Sequence, residues 1–339
     1  MSSARLNDTH DERDARLALV AAGVTVVLWA SAFVAIRSAG KYFSPGALAL
    51  GRLLCGSIVL GLVAWRRGEG WPKRPAWQGI LLSGALWFGA YMVALNWGEQ
   101  KIDAGTAAMV VSLGPVLIAV LSGLLLSEGF PPRLLAGLAV SLIGVAVVGV
   151  TASGATHAGA APGGAAASGT GHAGVAGVLL CVVAAVTFAG AVVSQKPALR
   201  SASALQVTTF GALVGTVLCL PFSGQLVHEV GPAPLSATLS ICYLGIFPTA
   251  IGFTTWAYAL ARTPAGKMGA TTYLVPAITV LLSWAVLSQV PTGFGAMGGV
   301  FCLAGVALSR RRGRLWPRLR QAPSALTGAP RAREHVAHR

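Results

Sequence analysis

An all-α integral membrane fold is what this sequence predicts: ten transmembrane helices arranged as two inverted five-helix repeats, with both termini in the cytoplasm. Three observations lead there. Of 339 residues, 55% are hydrophobic and 10% charged, against about 25% charged in an ordinary soluble domain, so the chain cannot cover itself with polar side chains. The apolar residues gather in runs of about 18 or more, long enough to cross a hydrocarbon layer roughly 30 Å thick at ~1.5 Å per residue. The two halves of the chain also repeat one another.

The runs place spans at 17–37, 45–65, 77–98, 104–126, 133–151, 174–195, 203–222, 235–261, 266–288 and 292–309. In hydrocarbon the backbone must satisfy its own hydrogen bonds, and barrel strands would be about half as long and alternate polar with apolar, so spans of this length are helices. The first follows MSSARLNDTHDERDAR with no small-residue cleavage site after it, which reads as a retained helix rather than a removed signal peptide. Residues 152–173, ASGATHAGAAPGGAAASGTGHA, have nothing to bury and read as a flexible external linker. The resulting organisation is a tail (1–16), a first unit (17–151), the linker (152–173), a second unit (174–309) and a basic tail (310–339).

The net charge of +15 raises the question of a nucleic-acid partner, and its distribution answers it. Of 25 Lys and Arg, 21 fall in the tails and in loops on the tails' side, including Arg66, Arg67, Lys73, Arg74, Arg133, Lys196, Arg200, Arg262 and Lys267. The opposite loops hold Lys41 and Lys101, and Arg37 and Arg52 lie within spans. This is the asymmetry of the positive-inside rule, not a nucleic-acid patch. The tail SRRRGRLWPRLR is suited to contact anionic lipid headgroups.

Cys55, Cys181, Cys219, Cys242 and Cys302 all sit in apolar spans without a C-x-x-C pair, so they read as small hydrophobes and not as a disulfide or metal framework. Gly169-Thr-Gly171-His-Ala-Gly174 fits G-x-G-x-x-G but lacks the preceding strand and the later acidic residue, and no G-x-x-x-x-G-K-[ST] pattern is present. No cofactor is implied. Every histidine lies in a tail or loop, and no acid lies at mid-span, so an obvious proton relay and an intramembrane metalloprotease both lack their parts; ion or proton coupling through Glu99, Asp103 or Glu128 and facilitated exchange are equally compatible with the sequence.

The repeat is read at an offset of 161. LGPVLIAVLSGLLLSEGFPP (113–132) answers LVPAITVLLSWAVLSQVPTG (274–293); Ala104 and Gly105 match Ala265 and Gly266, and Gly137, Gly144 and Val145 match Gly298, Gly305 and Val306. Five spans per unit, an odd number, invert the second relative to the first, a recurring plan of secondary transporters with the substrate site near the midplane. Pro115 and Pro276 fall mid-span, where each removes an amide hydrogen and frees a carbonyl four residues earlier, as a hinge or a packing kink.

WASAFVAIRSAGKYFSPGALALGRLL, AGTAAMVVSLGPVLIAVLSGLLLSEGFPPRLLAGLAVSLIGVAVV and AGKMGATTYLVPAITVLLSWAVLSQVPTGFGAMGGVFCLAGVAL, in this order, give the chain a resemblance to the EamA-like family of the drug/metabolite transporter superfamily, over residues 17–309. The resemblance implies a ten-helix carrier in the bacterial plasma membrane moving amino acids, metabolites or drugs, often outward. It also implies arginine at the position of Arg52 and glutamate at both Glu128 and Gln289, so Gln289 departs from the pattern.

Arg52 is the one charge set well inside a span, and an intramembrane charge needs a partner or a wet cavity; Glu99 and Asp103 are the nearest acids by depth. Candidate cavity residues are the aromatic and polar side chains at mid-depth: Trp29, Ser31, Trp87, Tyr91, Asn96, Thr254, Trp256, Tyr258, Thr271 and Tyr273. Trp and Tyr offer flat apolar faces with one hydrogen-bonding edge, suited to small organic solutes and equally to packing. Glu128, one turn from Arg133, and Gln289 end repeat-related spans on opposite sides, so the two gates are expected to be chemically unequal. Gly211 with Gly215, and Gly295 with Gly299, allow close helix approach within one chain or in a homodimer. The reading is therefore a secondary transporter and exporter of small organic solutes by alternating access. A channel or a sensor or scaffold is the alternative class, and an intramembrane enzyme fits least.

Overall fold

A computed structural model of the chain describes residues 2–99, 101, 110–158, 172–275, 277–278, 282 and 293–310, all helix, turn or loop, with no strand among them. Asp103, Pro276 and Gln289 lie outside the described residues, as do linker residues 159–171 and the tail beyond 310. The helices are α1 (Ser2–Ala39), α2 (Pro45–Arg66), α3 (Arg74–Ser83), α4 (Met92–Glu99), α5 (Gly114–Leu125), α6 (Pro132–Ala158) and α7 (His172–Ala198). There follow α8 (Ala204–Cys219), α9 (Ser223–Val230), α10 (Leu235–Leu244), α11 (Gly252–Arg262), α12 (Ala265–Thr271) and α13 (Gly293–Arg310). Two π-helical segments, π1 (Gly84–Tyr91) and π2 (Gly245–Ile251), join α3 to α4 and α10 to α11.

Among the described residues, six stretches are long and apolar enough to cross a membrane: Arg13–Ala32, Pro45–Arg66, Arg74–Gly98, Val175–Ala198, Ala204–Val230 and Leu235–Arg262. Gly114–Leu125, Pro132–Val147 and Met297–Ser309 are shorter apolar helices. Two ends differ from the sequence expectation. The polar start is helical from Ser2, in keeping with the absence of Gly or Pro before Gly23, and α6 runs on through an alanine-containing stretch to Ala158, seven residues into the expected linker. The outer surface carries large apolar side chains such as Ile58, Leu124, Leu125 and Val217, each more than half exposed. Water would oppose such a coat, and lipid accepts it. At the Arg66 end, Trp71, Trp77 and Phe210 stack with ring centroids 5.1–6.0 Å apart beside Arg67, Lys73 and Arg74, the composition of a membrane–water boundary.

Packing crosses between the halves of the chain: α1 lies on α10 and α11, α2 on α8 and π2, α3 and α4 on α7, π1 on α8, and α12 on α5. The closest pairing is α6 with α13. A Cβ on Gly137 would stand 2.5 Å from the Gly305 carbonyl oxygen, and one on Gly144 would stand 2.6 Å from that of Gly298. Between these contacts Ser141 Oγ donates to the Cys302 carbonyl at 3.3 Å, while Cys302 Sγ lies 3.7 Å from the Ser141 carbonyl. Gly137 meets the repeat counterpart of Gly144 and Gly144 that of Gly137, while Ser141 meets its own counterpart, so the two helices run antiparallel about a local two-fold centred on Ser141 and Cys302. Glycines matched between repeats are thus the points where the two backbones touch.

Proline explains one of the π segments. Pro248 removes the amide that would bond Leu244 and collides with that carbonyl, which widens the turn; Thr249 Oγ1 then donates to the Leu244 oxygen at 2.8 Å. The other segment, π1, begins at Gly84, the repeat counterpart of Gly245, and has no proline.

Candidate functional site

Four of the aromatic residues expected to line a cavity meet in one cluster between the halves. Trp29 of α1 stacks on Trp256 of α11 with ring centroids 5.0 Å apart and lies edge-on to Trp87 of π1 at 5.7 Å. Phe253 sits 4.9 Å from Trp87 and 4.5 Å from Phe88, and Phe188 of α7 links Trp87 at 5.2 Å to Tyr91 at 5.7 Å. Edge-to-face and tilted pairs at these separations each add about 0.5–1.5 kcal/mol beyond their area. Trp87 and Trp256 are 1% and 0% exposed, so the cluster is closed.

Within it Trp29 Nε1 donates to the Pro248 carbonyl of π2 at 3.3 Å. Trp256 Nε1 is buried with no hydrogen-bond partner, as are Gln195 Oε1 and Thr209 Oγ1. An unpaired buried donor costs about 1–3 kcal/mol, which marks the indole N–H of Trp256 as a group waiting for an acceptor.

Arg52 lies beside this cluster. Its guanidinium, 8% exposed, donates from Nε at 3.1 Å and Nη2 at 3.0 Å to Thr249 Oγ1, the hydroxyl that itself donates to Leu244. Tyr91 is near enough to act on it electrostatically. Among the described residues, then, the partner of Arg52 is a hydroxyl on the remote π2 segment, while Glu99, expected by depth, closes α4. Arg52 and the aromatic rings together place a fixed cation next to flat apolar faces, an arrangement able to hold an organic solute that carries a carboxylate.

The other expected residues are distributed around this centre. Ser31 Oγ and Tyr243 Oη share a hydrogen bond at 2.7 Å, and Asn96 Nδ2 donates to the Pro45 carbonyl at 3.2 Å, tying α4 to the start of α2. Thr254 Oγ1 bonds its own helix at Ala250, and Thr254 and Tyr258 face an outer groove, not the cluster. Thr271 and Tyr273 are buried, and Tyr273 Oη donates at 2.8 Å to the carbonyl of Ser112, its repeat counterpart. The break in the first repeat falls at Ser112–Leu113, and Pro115 stands in the first turn of α5 directly after it, at the point where a hinge or packing kink was expected.

At the other end, the turn between α11 and α12 is held from both sides. Lys196 Nζ donates to the carbonyls of Leu260 and Thr263, the C-terminal end of α11. Glu128 accepts from the N–H groups of Ala265 at 2.8 Å and Gly266 at 3.2 Å, the start of α12. Each charge thus meets the helix end whose partial charge is opposite to its own. Ser127, at φ 55°, is the one non-glycine residue with positive φ among the described residues, and with Gly129 at φ 71° it turns the chain sharply around Glu128. No group of His, Cys, Asp and Glu able to hold a metal occurs among the described residues.

Sequence reasoning passed over Phe88, Phe188, Phe253 and Thr249, since inside apolar runs nothing distinguishes a cluster residue from a lipid-facing one. Pro248 carried a readable signal, a proline inside a span.

Known proteins resemble this chain over most of its length. The EamA-like transporter family matches this chain twice, over residues 16–150 and 175–311. A protein of Streptantibioticus cattleyicolor named as a probable terminal-alkyne amino-acid exporter is 35% identical over 85% of this chain and 92% of its own length. An uncharacterized transporter of Bacillus subtilis, YdfC, is 31% identical over 86% and 90%, and a probable amino-acid metabolite efflux pump of Salmonella typhimurium is 24% identical over 88% and 94%. One crystal structure superposes with a TM-score of 0.71 over 86% of this chain and 96% of that one at 22% identity, which shows a common fold. With a match across both halves and relatives aligned nearly end to end, the chain belongs to the EamA-like transporter family.

Proposed function

We propose that this chain is a secondary carrier that exports small amino-acid-like solutes by alternating access. In this reading ten spans form two inverted units with both termini in the cytoplasm of a bacterial cell. The observation that carries the substrate class is the pairing of Arg52, a buried guanidinium bonded to a neutral hydroxyl, with an aromatic cluster that holds an unpartnered Trp256 indole N–H. A carboxylate satisfies the guanidinium better than a hydroxyl does, and charge-assisted hydrogen bonds are roughly twice as strong as neutral ones. A flat or apolar side chain fits among the rings. The names of the Streptantibioticus and Salmonella relatives, an amino-acid exporter and an amino-acid metabolite efflux pump, agree with this class.

The aromatic cluster is closed and the Lys196–Glu128 clamp holds the α11–α12 turn, so the arrangement fits an occluded or closed state in which the clamp serves as the inner gate and the breaks at Ser112 and Tyr273 as hinges. Glu128 carries the charge of that gate, and its repeat counterpart Gln289 carries none.

The test is counterflow of radiolabelled neutral amino acids into proteoliposomes preloaded with unlabelled ones. Saturable uptake accelerated by internal substrate is expected. Uptake that neither saturates nor responds to internal substrate would favour a channel.

A further inference from the structure

An outer groove of about 330 Å³ runs between α1 and α11. Leu17, Val20 and Val24 form one wall and Thr254, Thr255 and Tyr258 the other, with Ala21, 9% exposed, at its floor. Both threonine hydroxyls are already hydrogen-bonded, Thr254 to Ala250 at 2.7 Å and Thr255 to Ile251 and Gly252 at 3.0 Å and to Thr25 at 2.8 Å, so the groove shows mainly apolar groups. Its lining is almost wholly apolar. A polar solute has nothing to bind there, and a hydrocarbon chain has.

What stands at the end of the groove selects among hydrocarbon ligands. The helices are antiparallel: Thr25 Oγ1 meets Thr255 Oγ1 at 2.8 Å, and Trp29 Nε1 meets the Pro248 carbonyl. Following that register away from the membrane centre, Leu17 comes level with the end of α11 at Arg262, and Arg13 and Arg16 lie within one further turn of α1. Arg262 is exposed, its guanidinium carbon 3.6 Å above the ring of Tyr258, the last residue of the groove wall, and Nη1 donates to the Tyr258 carbonyl at 3.2 Å. Stacking fixes the guanidinium over the mouth with further N–H donors to spare, since arginine carries five. Arg13 is exposed one turn before Leu17. From Leu17 to Val24 the groove extends about 10 Å at ~1.5 Å per residue, within the roughly 15 Å that one leaflet of hydrocarbon provides.

We infer that this groove is a binding site for one anionic phospholipid, its acyl chain lying between α1 and α11 and its phosphate held by Arg262 and Arg13. The site is separate from the solute path and depends on membership of a membrane family, not on the substrate class proposed above. Charge at the mouth is what makes the lipid anionic: a zwitterionic headgroup would bring its own cation against the arginines.

The full-length protein, purified in detergent, would be mixed with equal amounts of phosphatidylglycerol and phosphatidylcholine and its retained lipids counted by native mass spectrometry. One phosphatidylglycerol retained in preference to phosphatidylcholine is expected. Arg262→Gln is expected to lower that retention roughly five-fold, the weight of one basic side chain at an anionic surface. Ala21→Phe, which fills the floor, is expected to abolish it while the protein remains monodisperse. The double variant Arg66→Gln/Arg67→Gln, equally basic in the parent but remote from the groove, keeps the lipid. Equal retention of the two lipids overturns the proposal, as does retention by Arg262→Gln at the parent level, or a loss in Arg66→Gln/Arg67→Gln as large as that in Arg262→Gln.

Discussion

Where π1 crosses α8, Phe88 lies over two glycines: a Cβ on Gly215 would stand 2.2 Å from Phe88 Cβ, and one on Gly211 3.4 Å from its ring. Where π2 crosses α2, Thr249, the repeat counterpart of Phe88, lies over Gly56, whose Cβ would meet Thr249 Cγ2 at 3.0 Å, and Arg52 one turn away holds the Thr249 hydroxyl. The backbone device is common to both: a widened turn begun by a glycine, Gly84 or Gly245, presses the fourth residue on against a glycine of the neighbouring helix. The chemistry differs. One junction is tightly filled by a phenylalanine, and the other carries a buried guanidinium beside the aromatic cluster. Repetition fixed the scaffold, and divergence at two positions gave one half the charge.

The largest expected effect comes from removing that charge. Arg52→Ala would make the second junction as apolar as the first. In the proposed complex Arg52 pairs with the solute's carboxylate, and truncating one member of a buried, hydrogen-bonded charged pair costs about 2–5 kcal/mol, so transport in proteoliposomes should fall at least ~30-fold with insertion unchanged. Thr249→Ser keeps the hydroxyl and should retain most of the flux. Wild-type rates in Arg52→Ala would remove the guanidinium from the mechanism and reduce the difference between junctions to packing.

Packing gives the next effect. Gly215→Ala must displace Phe88 backbone and Cβ atoms, whereas Gly56→Ala needs a few tenths of an ångström from Thr249 and the Gly245 carbonyl. Gly215→Ala is expected to destabilise by about 1–3 kcal/mol, the range for overpacked cores, and Gly56→Ala by less. Thermal unfolding in detergent orders the two; the reverse order would mean that the polar junction is the more rigid one.

Much of this was legible in the sequence. Apolar runs gave the membrane class, because lipid accepts no other composition, and the glycines matched as repeat evidence, 137/298 and 144/305, lie where α6 and α13 touch, a contact that the repeat alone did not indicate. Trp29, Trp87, Tyr91 and Trp256 stood out as amphipathic side chains at mid-depth and do gather. The partner of Arg52 was not legible. Depth suggested Glu99 and Asp103, and among the described residues the hydrogen bonds of Arg52 reach a threonine 197 positions away, a pairing set by helix packing that no local pattern encodes. Lys196, counted only as a loop charge, reaches back to the carbonyls of α11, since a long flexible stem lets lysine serve a helix end that its sequence position does not indicate.

The smallest expected effect extends the comparison from the junctions to the helix ends. Glu128 accepts two backbone N–H groups at the start of α12 with both carboxylate oxygens. Glu128→Gln would give both repeats the same neutral residue at this point. One of the two acceptors becomes an NH₂ group facing an N–H, and the favourable contact of an anion with a helix N-terminus, typically 0.3–1 kcal/mol, is lost. Lys196 acts electrostatically with Glu128 and would keep its two carbonyls, so the turn should loosen without coming apart. The expected outcome is a fall in unfolding free energy of about 1 kcal/mol and faster exchange of the Ala265 and Gly266 amides with deuterium, with α6 and α13 unchanged. Unchanged protection at Ala265 would show that the turn is held by Lys196 alone, and the asymmetry between the glutamate and the glutamine would then have no structural weight at this end.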